Sequence, residues 1–326
     1  MSAPVHVRSR PSPKAAPPPS GRAGGGGWSG RLSRWDIRFS PYLFISPYFL
    51  LFALFGLFPM GYTLWVAMHD WELIGSREFT GLENFRLVLT DPQFWNSVYN
   101  TAGMFVVATV PQLVMALLLA NALNRRMRGQ TLLRMGVLAP MVTSIAAVAI
   151  VFSQLFSRDF GLVNWVLGWF GVEGLDWAAQ RWSAWLAISV MVDWRWTGYN
   201  ALIYLAAMQS IPRDLYEAAA IDGASRRRQF WTITLPMLRP TIIFTAIIST
   251  IGGFQLFTEP LLFGNGDMAG GSLRQFQTVT MYMFENAFTR FDYGYASAVS
   301  WLLFLLILLG SLLNFLWLRR VGGGRA

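Results

Sequence analysis

The chain contains no cysteine, one lysine and two histidines in 326 residues. Without cysteine there is neither a disulfide nor a thiolate metal site. His6 and His69 alone leave little material for a histidine-based triad or metal cluster. A Walker-type phosphate loop needs lysine followed by serine or threonine. The single lysine, Lys14, is followed by Ala15 and lies near the N-terminus, so the chain reads as not an enzyme and holds no ATP of its own. Charge is scarce as well. Only 13% of residues are charged and 54% are hydrophobic, against about a quarter charged in an ordinary soluble domain. The net charge of +9 resembles a nucleic-acid signature until the arginines are located, which is mainly in loops on one side of a membrane topology.

What is present is a set of long apolar runs. Residues 39 to 69, 92 to 124, 135 to 157, 240 to 258 and 293 to 318 carry no Asp, Glu, Lys or Arg. A helix needs about 20 apolar residues to cross a bilayer. A sixth run, roughly 183 to 207, is interrupted only by Asp193 and Arg195. The reading is an all-α integral membrane protein with six transmembrane helices across residues 41–320 and both termini on one side. Lys and Arg number nineteen in the tails and the loops on the side of the termini, and six in the loops on the other side. The excess places both termini in the cytoplasm. A miscounted span would exchange half of these loops and abolish the asymmetry.

Residues 1–40 form a basic Pro/Gly-rich tail, read as disordered because it cannot bury enough apolar surface. Residues 321–326 form a second, short tail. The charge-free run 160 to 172 is too short to cross and reads as an interfacial helix. Pro111, Pro140 and the pair Gly252-Gly253 are placed to kink spans two, three and five. The glycine-rich stretch from Gly264 to Gly271 reads as a flexible outer loop.

Between spans four and five, residues 209–238 look soluble. Pro212 suits the first turn of a helix. Asp214 and Glu217 lie near its positive end, and Gly223 supplies a left-handed stop. About ten residues is too short for a helix to be stable alone in water. Its small face, Ala218, Ala219 and Ala220 with Leu215 and Ile221, must pack on something. An ordinary cytoplasmic hairpin explains the periodicity equally well.

The stretch Glu217-Ala218-Ala219, Asp222-Gly223-Ala224, Ile233 and Leu235-Pro236 resembles the signature loop of binding-protein-dependent ABC importer permeases. Gly81-Leu82-Glu83-Asn84-Phe85, Phe254-Gln255-Leu256-Phe257 and Tyr293-Gly294-Tyr295-Ala296 are similar to stretches of the carbohydrate-uptake branch related to the larger maltose permease subunit. The resemblance covers residues 41 to 320. It implies a type I permease fold with a coupling helix, in which Glu217, Ala218, Ala219, Asp222, Gly223, Ala224 and Pro236 engage an ATPase. It also implies a second permease subunit, two cytoplasmic ATPases that bind ATP and Mg, an extracytoplasmic solute-binding protein, and residence in a bacterial cytoplasmic membrane, with no nucleic acid involved.

Ionisable groups at span depth usually face a bundle interior or water. Asp193, Arg195 and Glu259 qualify. Asp193 and Arg195, two apart, point to different helix faces, whereas Gln255 and Glu259 are one turn apart on the supposed fifth helix. Trp196 and Asn200 share a face, with Tyr199 beside them. Aromatic plates beside amide and carboxylate acceptors suit a sugar, and these seven residues are the candidate substrate path. A polar contact between helices explains any one of them equally well. The function that follows is ATP-driven import of a di- or oligosaccharide by alternating access. A permease for a non-sugar solute such as glycerol phosphate and an ion-coupled secondary transporter are the alternatives.

Overall fold

A computed structural model describes residues 28–71, 77–125 and 127–321. The chain divides into two compact units, residues 1–60 and 61–326. The first unit is helical throughout its described part. Helix α1 (Trp28–Phe52) passes through Pro41 and Pro47 into a π-helical turn, Ala53–Leu57, and on into α2 (Phe58–Ala67), within which the unit boundary falls. Helix α1 therefore starts inside the segment expected to be an unstructured tail. The composition changes after Gly27, not at residue 40: Trp28, Leu32, Trp35 and Phe39 follow a helical spacing. The expected tail up to residue 27 lies outside the described residues.

In the second unit the elements follow one another as a short antiparallel pair β1 (His69–Asp70) and β2 (Glu78–Phe79), then α3 (Glu83–Thr90), α4 (Pro92–Leu123), α5 (Gln130–Val142) and α6 (Ile145–Leu155). After these come α7 (Leu162–Gly168), α8 (Arg181–Gln209), α9 (Arg213–Ile221), α10 (Arg226–Gln229), a π turn Phe230–Thr234 and α11 (Leu235–Met237). The chain ends with α12 (Arg239–Phe254), α13 (Thr258–Phe263), α14 (Val279–Phe288) and α15 (Tyr293–Val321).

Among the described residues, three helical stretches are long and apolar enough to cross a bilayer: Ser40–Ala67, Pro92–Leu123 and Tyr293–Trp317. Two further spans appear if each bent pair counts as one, α5 with α6 at 90° and the segment Arg226–Met237 with α12 at 65°. The residues of the third expected span thus form a helix pair bent at 90° and not one continuous helix. Pro140 removes a backbone donor in the last turn of α5, and Thr143 turns extended, its hydroxyl bonded back to the Ala139 carbonyl at 2.9 Å. Pro111 has no such effect, and α4 runs on through it. Helix α8 has the length to cross, but its middle carries Asp193, Arg195, Tyr199 and Asn200.

Helices α4 and α8 form the central pair. Small residues bring them together: Ala116 and Ala120 of α4 and Ala201 of α8 are fully buried in one cluster with Tyr204, Leu205 and Leu238. Higher up, the Trp185 indole lies over Gly103, where an added Cβ would overlap the ring. Gly198 of α8 meets α5 backbone to backbone, since a Cβ there would overlap the Val137 carbonyl. Helix α12 is tied to its neighbours by hydroxyls, Tyr204 to Thr245 at 2.6 Å and Asn314 to Thr250 at 2.6 Å.

Two of the family-like motifs meet in space. Asn84 donates to the carbonyls of Ala67 and His69 at 3.0 and 2.9 Å, Gly294 packs against the same His69 carbonyl, and the Tyr293 N–H donates to Trp71. Asp91 caps α4 through the Gln93 N–H at 2.8 Å, with Pro92 in the first turn. The same carboxylate accepts from the hydroxyls of Tyr282 and Tyr295.

Candidate functional site: a cavity between helices and a helical knuckle

A cavity of about 430 Å³ opens between α4, α8 and the end of α12. Six of the seven residues expected along a substrate path line it: Arg195, Trp196, Tyr199, Asn200, Gln255 and Glu259. Asp193 is not among its walls, and its Oδ1 has no hydrogen-bond partner among the described residues. Gln112, Thr109 and Phe105 of α4, with Ser249, Phe257 and Thr258, complete the polar and aromatic wall. Sequence reasoning missed these because they sit inside charge-free runs where nothing marks one face from another.

Gln255 and Glu259 reach the cavity by a different route from the expected one. Helix α12 stops at Phe254, where the Gln255 N–H bonds to Gly252 rather than continuing the ladder, and Phe257 leaves the helical region at φ −134°. The two do not share a helix face. They share a cavity because the chain breaks after Gly252-Gly253, where Gly253 passes close beneath the Phe105 ring.

Among the described residues, the one cation in the cavity wall is already matched. Arg195 Nη1 lies 3.6 Å from Glu259 Oε1, with side chains 18% and 6% exposed. The guanidinium also stands 5.8 Å from the Trp196 ring centroid, and Trp196 meets Tyr199 edge to face at 6.0 Å. The rest of the wall is neutral: aliphatic side chains such as Met104, Ile145 and Ile248, with rings, amides and hydroxyls among them.

The segment from Pro212 to Ala224 forms the expected short helix. Pro212 is its N-cap, one residue earlier than expected, and α9 has nine residues, none of them buried. Gly223, at φ +76°, ends it: its N–H bonds to Ala220 and the Ala224 N–H to Ala219 at 3.0 and 2.8 Å. That paired closure needs a left-handed residue at this position. Nothing lies within 4 Å of a Cβ added there, so the constraint is conformational rather than steric. Ile221 and Leu215 remain exposed. Tyr216 reaches Thr234 at 2.9 Å and anchors α9 to the following π turn. Just beyond, Leu238 sits fully buried at the 65° bend, packed with α4 and α8. Glu217, Ala218, Asp222 and Pro236 are exposed, while Ala219 and Ala224 are half-buried.

At the far end of α4, the glycine-rich loop is not loose. Asp267 accepts from the N–H groups of Ala269 and Gly271, and Gly270 lies against the Gln277 backbone with no room for a Cβ. Arg274, at φ +53°, grips Glu285 with both terminal nitrogens, and Gln277 adds a bond at 2.6 Å. Burial pushes the Glu285 carboxyl up. The hydrogen bonds from Arg274 and Gln277 and the charges of Arg274 and Arg290 outweigh it, leaving the group below its ordinary value. Burial and the bond to Asp91 raise Tyr282 to about 12. The run 160 to 172 holds only the seven-residue α7, which Asn164 fastens to Leu175 and Trp177.

The chain matches the family described as "Binding-protein-dependent transport system inner membrane component" over residues 78–323. The lactose transport system permease protein LacF of Rhizobium radiobacter is 37% identical over 279 residues, which is 84% of this chain and 92% of that one. The trehalose/maltose transport system permease protein MalF of Thermococcus litoralis is 34% identical, covering 82% and 89%. Among solved structures, a chain of a bacterial alginate ABC transporter, in complex with its alginate pentasaccharide-bound periplasmic protein, superposes with a TM-score of 0.72. At 23% identity, over 90% of this chain and 98% of that one, it establishes the fold alone.

Proposed function

We propose, for a chain that belongs to the binding-protein-dependent inner membrane transport components, that it is the sugar-translocating permease subunit of an ATP-driven importer. It crosses the membrane six times with both termini in the cytoplasm, α8 supplying the span that hydropathy alone passes over. A second permease subunit stands beside it, two ATPases hold ATP and Mg beneath it, and an extracytoplasmic binding protein delivers the solute. Helix α9 is the coupling helix: Glu217, Ala218, Ala219, Asp222, Gly223 and Ala224 seat in an ATPase groove, and Pro236 opens the turn that leads back into the membrane.

The observation that carries the sugar reading is the cavity wall. Trp196, Tyr199 and Phe257 offer flat faces to an apolar ring surface, while Gln112, Asn200 and Gln255 offer hydrogen bonds to hydroxyls. Its one cation is matched to Glu259. A phosphate ester asks for unpaired positive charge at this depth, and the wall holds none among the described residues. The permeases of lactose and of trehalose and maltose are similar across most of this chain, which favours a di- or oligosaccharide.

Movement is by alternating access. Closure of the ATPases shifts α9, the shift passes through the Leu238 bend into α12, and the α4–α8 pair opens the cavity to the other side. Uptake of labelled disaccharides and of labelled glycerol phosphate, in cells lacking the chain and after its restoration, tests the reading. Restored sugar uptake that stops when the ATPase is lost supports it. Restored glycerol phosphate uptake alone, or uptake that survives ATPase loss but not an ionophore, overturns it.

A further inference from the structure

Beside α9 lies a second, larger cleft of about 1080 Å³. Its walls include Arg125, Arg226 and Arg227, together with Asn121, Asn124 and Gln229. None of the ion pairs among the described residues involves these three arginines, and no carboxylate lines the cleft. A concave surface with three unmatched guanidinium groups is built for an anion, and arginine is the side chain best suited to a phosphate.

The surroundings narrow the kind of anion. The cleft opens at the end of α4, a helix long and apolar enough to cross a bilayer. Along α4, Val106, Val110, Val114 and Leu118 recur every fourth residue, and all are 54–59% exposed. They form an i, i+4 ridge of exposed apolar side chains that winds along α4 and ends at Leu118, inside the cleft wall. Trp231, 58% exposed, stands at the cleft as an indole does at a membrane interface. An acidic protein segment needs the arginines but not the ridge. A two-part ligand, anionic at one end and aliphatic at the other, needs both.

We infer that this cleft binds the phosphodiester headgroup of an anionic phospholipid, with an acyl chain laid along Val106, Val110, Val114 and Leu118. The inference requires only that the chain crosses a bilayer, and it stands apart from the identity of the transported solute. Because Arg226 and Arg227 open α10, the next helix after α9, the lipid would steady the segment that α9 hands on to α12.

Native mass spectrometry of the full chain tests this, with phosphatidylglycerol and phosphatidylcholine as probes. The wild type is expected to retain phosphatidylglycerol in preference. The combined Arg125→Gln, Arg226→Gln and Arg227→Gln variant should lose that preference on the order of a hundredfold, while the matching triple Lys variant keeps it. Unchanged retention in the Gln variant overturns the proposal. So does a Gln variant that sheds its ATPases in phosphatidylcholine discs while still holding phosphatidylglycerol, since the cleft then faces an acidic protein. Inorganic phosphate that displaces the lipid, with Val110→Ser, Val114→Ser and Leu118→Ser having no effect, assigns the cleft to a free anion and overturns it too. Should the Gln variant fail to fold, photoreactive phosphatidylglycerol on the wild type decides. Labelling within residues 106–125 or 226–234 supports the site, and labelling only elsewhere removes it.

Discussion

Arg195 and Glu259 face each other across the cavity wall, guanidinium to carboxylate at 3.6 Å, one from the middle of α8 and the other from the first turn of α13. Both are mostly shielded from solvent, and each is the other's only charged partner among the described ion pairs. Breaking such a buried pair strands a charge and destabilises by about 3–5 kcal/mol, whereas replacing both members with apolar residues is often neutral. Glu259→Gln should therefore lower the thermal midpoint and the yield of assembled protein. Arg195→Met with Glu259→Leu should recover assembly but transport poorly, because the cavity has lost its polar end. Thermal unfolding beside sugar uptake reads the two effects separately. A Glu259→Gln protein of wild-type stability would refute the pairing.

Gly223 carries a second prediction. Its φ of +76° costs a β-branched residue about 1–2 kcal/mol, while asparagine tolerates it far better. Because a Cβ meets nothing there, size is not at issue. Gly223→Val should reduce ATPase co-purification and uptake, and Gly223→Asn should retain most of both. Equal behaviour of the two variants would show that the left-handed turn does not matter for coupling.

The Arg274–Glu285 clasp makes stability depend on acid. Glu285 has a folded-state pKa below its ordinary value of 4.5, so its contribution is present above 4.5 and is lost as pH falls through the lower, folded value. Asp91 behaves alike: burial raises it, but hydrogen bonds from Tyr282, Gln93 and Tyr295 bring it below its ordinary value of 3.8. Thermal midpoints measured at descending pH should drop below 4.5, and Glu285→Gln should flatten that drop. A profile identical to the wild type would place the acid sensitivity in other groups.

Leu238, fully buried at the bend before α12, offers a fourth. Leu238→Ala should cost about 2–5 kcal/mol of stability. If motion passes through this bend, uptake per assembled transporter should fall further than ATP hydrolysis does. Parallel losses in both would reduce Leu238 to a packing residue.

Local chemistry was the readable part of this chain. The left-handed closure at Gly223 follows from the residue type alone, and the long apolar stretches follow from the bilayer's thickness. Long-range geometry was not readable. Nothing in the text of residues 81–85 and 293–296 says that Asn84 and Gly294 crowd the same His69 carbonyl, because that contact joins segments some two hundred positions apart. The spacing of Gln255 and Glu259 implies one face of a continuous helix, whereas the two converge on the cavity through that helix's interruption. The 90° break near Thr143 was half visible in Pro140, but an identical signal at Pro111 produced none. A proline loosens a helix, and its packed neighbours decide whether the helix yields.

Gly198 presses on the Val137 carbonyl with no side chain between. Main chain meeting main chain brings two helix axes closer than side-chain packing allows. Any side chain at 198 would therefore hold α5 and α8 apart, and the seam between them depends on this one residue having none.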